Sequence, residues 1–110
     1  MPDTVKILGQ SAPNATTETD LYEVLAPATS AVVSSIVVCN RGTTSTTFRI
    51  SVSQAGAATT NKDYLYDDIT IGGMDTFVAT IGISLATTDK IRVYAGNANL
   101  SFNAFGVEIT

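Results

Sequence analysis

The sequence predicts an all-β domain, a two-sheet β-sandwich of about eight strands, and three observations carry that expectation. Short apolar runs that alternate with polar residues recur along the chain, separated by clusters of Gly, Asn, Ser, Thr and Pro. No stretch has the spacing of an amphipathic helix three turns long. No repeat at a solenoid or propeller period is present. Strand order is left open between a jelly roll and an immunoglobulin-like arrangement, because it depends on pairings that alternation does not encode.

Val5, Ile7 and Leu8 belong to a short strand, VKILGQ, followed over residues 11–19 by turn formers and small polar residues that include Pro13. Residues 1–19 are therefore expected to form an N-terminal arm and linker, and residues 20–110 a single sandwich domain. Such an arm either closes an edge of its own sheet or lies along a neighbouring subunit by strand addition. Residues 21–26, LYEVLA, read as a strand ended by Pro27.

The best-specified stretch is 31–53. Val32 to Cys39 is apolar on both parities, as in a strand covered on both sides. Phe48, Ile50 and Val52 alternate with polar residues, as in a strand with one dry face. Asn40-Arg41-Gly42 between them supplies turn chemistry and predicts a hairpin.

Residues 62–71 place Leu65, Ile69 and Ile71 on one parity and Tyr64, Tyr66 and Asp68 on the other, which puts the tyrosines on the outer face. Phe77, Ala79, Ile81, Ile83 and Leu85 then share a parity long enough for a strand that passes from one sheet to the other, bending at Gly82. In 90–95, Ile91 and Val93 face inward and Arg92 and Tyr94 outward, with 96–99 as a hairpin turn. The last strand changes phase: Leu100, Phe102 and Ala104 share one parity, Phe105, Val107 and Ile109 the other. A regular strand cannot bury both sets on one face, so either a bulge lies near Ala104-Phe105 or a partner chain covers one set.

The chain has 110 residues, enough for one core without staples. A net charge of −4 with scattered Lys and Arg argues against nucleic acid as a partner. Charged residues are 15% of the chain, against about 25% in an average soluble domain, and such a surface suits contact with protein. No run has the length of a membrane helix and the first residues do not have the form of a signal peptide, so a cytoplasmic site of synthesis and no membrane partner are expected.

Histidine is absent, which removes the commonest general base and zinc ligand. Cys39 is the single cysteine and reads as a small buried hydrophobe. Asp63, Asp67, Asp68 and Asp75 could be weighed as a calcium site, yet Asp63 and Asp67 are about 13 Å apart along an extended strand and Asp68 should point to the opposite face from Asp67. Glycine-rich phosphate loops are missing, and nothing marks a sugar cleft. No catalytic, cofactor-binding or metal residue is therefore assigned, and no enzyme activity is expected. Tyr64, Tyr66 and Tyr94 are either ordinary strand residues or an aromatic contact patch for another protein. With Val5, Ile7 and Leu8 they are the candidate interface residues.

The segments VKILGQSAP, TDLYEV, SSIVVCNRGTTSTTFRISV, NKDYLYDDITI and IRVYAGNANLSFNAFGVEI resemble small virion structural proteins of tailed bacteriophages, over nearly the whole chain. The VCNRG turn and the closing SFNAFGVEI are the distinctive parts. The resemblance implies a β-sandwich assembled onto a particle, as a cement or decoration protein on the head or as a tail or fibre component touching the host surface. It transfers no catalytic residue. A homo-oligomer, with a trimer favoured, docked on the major capsid protein or another virion protein is the expectation that follows, with the virion as its final location.

Overall fold

The computed structural model describes residues 3–110. Among these residues nine strands form two antiparallel sheets that pack on each other around an apolar core. They are β1 (Asp3–Ser11), β2 (Thr19–Glu23), β3 (Ser30–Asn40), β4 (Thr46–Ser53), β5 (Tyr64–Ile71), β6 (Thr76–Ala79), β7 (Ile83–Ala86), β8 (Lys90–Ala95) and β9 (Leu100–Ile109). The larger sheet runs β1-β9-β3-β6, with β7 also on β3, and the smaller runs β2-β8-β4-β5.

β6 and β7 lie end to end along β3, against Ile36–Cys39 and Ser30–Val33 respectively, and so fill one strand position. With that position counted once, the pairing is nested: β1 with β9, β2 with β8, β3 with β6 and β7, β4 with β5. Such nesting arises when a chain is doubled at its middle, here the 54–63 loop, and the long hairpin is rolled into two sheets. That is the jelly roll, so the order left open by the sequence is decided.

Two expected hairpins are not hairpins. β3 and β4 lie in opposite sheets, each as an interior strand, and 41–45 is an arch between them. Buried Asn40 makes the arch: its amide donates to the carbonyls of Thr44 (2.9 Å) and Gly72 (3.1 Å), and its Oδ1 accepts from the N–H of Gly42 (3.0 Å). Residues 96–99 likewise connect the smaller sheet to the larger. The 76–85 run, in contrast, does not change sheets. It breaks at 80–82, where Gly82 takes φ +62° and Ile81 turns outward, then resumes on β3.

The core is built from the inward parities of both sheets, with Phe48, Phe102, Ile36, Ile50, Ile91 and Leu100 its largest buried side chains. Phe48 packs tilted against Phe77 at 5.1 Å and edge-on to Phe102 at 6.4 Å, joining the layers. In β2 a bulge between Asp20 and Tyr22 lets Leu21 and Tyr22 both be buried although they are consecutive.

The segment set apart as an arm contributes β1, paired antiparallel to β9 along its length, so of the two dispositions foreseen the chain adopts closure of its own sheet. Residues 1–2 of that segment lie outside the described residues. β1 carries the sheet to an edge that is nine residues long, whereas the other edges are five residues (β2), four each (β6, β7), or kinked by bulges (β5).

Candidate functional site

The outer face of the larger sheet gathers four of the eight exposed large hydrophobic side chains among the described residues, Val5, Ile7, Val32 and Val78, whereas Leu25, Leu65, Met74 and Ile81 are scattered over connections and the smaller sheet. β9 alternates without interruption, Leu100, Phe102, Ala104 and Gly106 buried and the residues between them half-buried. The irregularities expected in β9 instead fall in its neighbours: a register shift between Ile7 and Gly9 in β1 and another between Val33 and Ser35 in β3, both opposite Phe105. Because β9 keeps its phase, Phe105, Val107 and Ile109 all emerge on the outside. Gly106 shows the same thing from the inner side, since a Cβ there would run into the Val32 carbonyl, Val33 and Leu8.

Register lines these residues up with others. Val107 sits between Val5 of β1 and Val32 of β3, Phe105 lies beside Ile7, and Val37 lies beside Val78 of β6. Val5 is 81% exposed, Val78 54%, Ile7 53% and Val32 40%. The expectation that β3 is covered on both sides is therefore met on one side only: Val33, Ile36 and Val38 are in the core, while Val32, Val37 and Cys39 face outward. Cys39 is a half-buried residue of this outer face between Thr76 and Ser101, not a core thiol. The polar residues in the same rows are uncharged (Ser35, Ser84, Asn103, Gln10), with Asp3 at the margin.

The opposite face, on the smaller sheet, gathers charge and satisfies it internally. Between the pairs Tyr66–Ile50 and Ile69–Phe48, β5 has two residues, Asp67 and Asp68, where β4 has one, Arg49, and Asp68 takes φ +52°. This bulge puts Asp67 and Asp68 both against Arg49, at 3.3 and 2.7 Å, which corrects the expectation that they point to opposite faces. Hydrogen bonding from the Arg49 guanidinium holds the Asp68 carboxyl below the usual carboxylate range, and the same pair pushes Arg49 up. The guanidinium also lies 4.3 Å over the Tyr94 ring.

Arg92 donates to Asp20, Ser53, Thr59 and the carbonyls of Gly56 and Ala57, fastening the 54–61 loop to the sheet. Lys90 reaches Asp20 at 3.0 Å. Burial pushes the Asp20 carboxyl up, but the hydrogen bonds from Lys90 and Arg92 outweigh it and the net direction is down.

The six candidate interface residues thus divide. Val5 and Ile7 are on the outer face of the larger sheet. Leu8, at the β1 bulge, turns inward and packs against the core. Tyr66 is also inward, 5.2 Å from Phe77 and 6.5 Å from Phe48, and Leu65 is outward, because a second bulge in β5 sets Tyr66 opposite Ile50 and Tyr64 opposite Ser51. Tyr64 and Tyr94 are half-buried on the smaller sheet's charged face. Tyr66 thus leaves the set of outward tyrosines, while Tyr64 and Tyr94 share the face that carries Arg49. Val32, Val78, Phe105 and Val107 are the residues missing from that set, and the doubled parity of β9 was the signal for the last two.

Among the described residues no group of three or more His, Cys, Asp and Glu side chains could hold a metal ion. Asp63 is spent on a capping box, accepting from the Thr60 N–H at 2.9 Å. An open recess where β1 meets β9 is lined by Gln10, Ser11, Ala12, Ser101, Phe102 and Asn103, none of them titratable at ordinary pH. No protein-family model matches the chain, and no curated protein matches it either.

Proposed function

We propose that this chain is a virion structural protein of a tailed bacteriophage, a cement or decoration protein that self-associates and adds buried area across the seams of the head shell, with no bond-making step. The observation that supports it is the uncharged apolar outer face of the larger sheet, continuous from β6 to the long edge strand β1. Contiguous apolar faces of this kind on small domains mark contact sites, and repetition over a lattice multiplies weak contacts. Jelly rolls recur in capsid and in lectin domains, which is an analogy of architecture alone.

The test uses purified particles and shells lacking the protein. A quantitative gel should show many copies per particle, and the added protein should bind bare shells and raise their disruption temperature. Val78→Lys, at an exposed position of the self-association face, should fold normally and bind shells weakly, because it loses the avidity that self-association supplies. A copy number of only a few would move the protein to the tail or fibre, and no binding to shells would overturn the cement reading. Removing residues 1–10 is a poor substitute, since it strips an edge strand and the inward-packed Leu8.

A further inference from the structure

We infer that the outer face of the larger sheet is covered by the same face of a second copy of this chain, stacked about a two-fold axis. This deepens the assembly reading above and rests on it for the premise that the chain self-associates. Three observations select the occupant. First, the face matches itself in charge. A two-fold contact sets a patch against its own copy, so any net charge on it meets its like; the rows through Val5, Val107, Val32, Phe105, Val37 and Val78 hold none, with Asp3 only at the margin beside Ile109, although the chain as a whole is −4. The other broad face carries Asp20, Arg49, Asp67, Asp68, Lys90 and Arg92, already paired within the chain.

Second, the area is right. Four strand positions about 4.8 Å apart and about eight residues long make a face of roughly 500 Å² in projection. The accessible area of side chains standing on it is larger, which approaches the ~800 Å² per partner of a standard interface. Third, the face is built like half of a sandwich interior. β3 is apolar on both parities, and β9 carries one apolar set inward and a second outward. A sheet packed at about 10 Å on each side is what such strands are made for. A three-fold ring, by contrast, needs two different complementary patches, and this face presents one.

The experiment is the mass of the isolated full chain in solution, by sedimentation equilibrium and light scattering over a wide concentration range. The expected result is a dimer in monomer–dimer equilibrium. Val32→Lys, on interior strand β3, should weaken it at least about tenfold, the weight of one central contact, and Val5→Lys, on edge strand β1, should weaken it measurably but less; both variants alter exposed positions outside the core. Their circular dichroism and thermal unfolding at low concentration should match the parent. Raising the salt should leave the dissociation constant nearly unchanged, since no exposed charges meet. A parent that stays monomeric or forms a trimer, a dimer untouched by both substitutions, or one dissolved by salt would each overturn the inference. A dimer that shells do not take up leaves it standing and removes the virion reading; a monomer that shells take up does the reverse.

Discussion

Asn40 is one side chain doing the work that a hairpin turn would do elsewhere. It is buried at the end of β3, and its three hydrogen bonds tie the arch to itself and to the β5–β6 connection at Gly72. Asn40→Ala leaves the Thr44 and Gly72 carbonyls and the Gly42 N–H without that partner; a fully buried unsatisfied group costs about 1–3 kcal/mol, and these three cost less each because Thr44 is exposed and both glycines are only half-buried. Urea denaturation should register a loss of about 2–4 kcal/mol in total, with an unchanged slope because the folded topology persists. Asn40→Asp should do no better, since it restores the acceptor for Gly42 but aims a carboxylate at two carbonyls. Nothing in the Asn-Arg-Gly motif distinguishes an arch from a hairpin. The same turn chemistry serves both, and the partner that separates them, Gly72, lies 32 residues away.

At the scale of strands, alternation carried the architecture wherever a strand was regular. Ile91 and Val93 of β8, and Phe48 and Ile50 of β4, face the core as their parity demands. It failed at bulges, because an extra residue reverses facing beyond it and leaves no mark in composition. β5 has two, so Tyr66 packs under Phe48 and Leu65 looks outward. β9 has none, and its double apolar parity was a true reading of two faces; what the sequence could not place was the compensation, which sits in β1 and β3. Gly106 is where that compensation is tightest. A Cβ would overlap the Val32 carbonyl and press on Val33, both backbone, at the point where β3 carries its extra residue. Gly106→Ala must push β9 away from β3, and a loss of about 3 kcal/mol or more is expected in chemical denaturation. A cost below ~1 kcal/mol would mean that the β3 bulge gives way freely.

For the whole molecule, the jelly roll must keep two sheets in register across the core, and at the end near the termini a polar tie does so. Tyr22 of the smaller sheet donates to Glu108 of β9 at 2.6 Å, and Lys6 of β1 meets the same carboxylate at 2.9 Å. Hydrogen bonds from Tyr22 and Lys6 hold the Glu108 carboxyl below its usual range, while burial and then Glu108 push the Tyr22 hydroxyl up. The signs give two limbs. Glu108, with Asp20, Asp63 and Asp68, binds protons less readily folded than unfolded, so its stabilisation is full above about pH 4–5 and is lost as pH falls through the depressed folded values. Tyr22 keeps its proton longer when folded, so its contribution is full below about pH 10 and declines as pH rises beyond that. Calorimetry should therefore trace a plateau in melting temperature between about pH 5 and 9, falling on both sides. Glu108→Gln should lower the plateau and shrink both limbs, because it removes the carboxylate from each; Asp68→Asn should shrink the acid limb alone. Limbs left as they were by Glu108→Gln would mean that the sheets are joined by apolar packing without help from this tie.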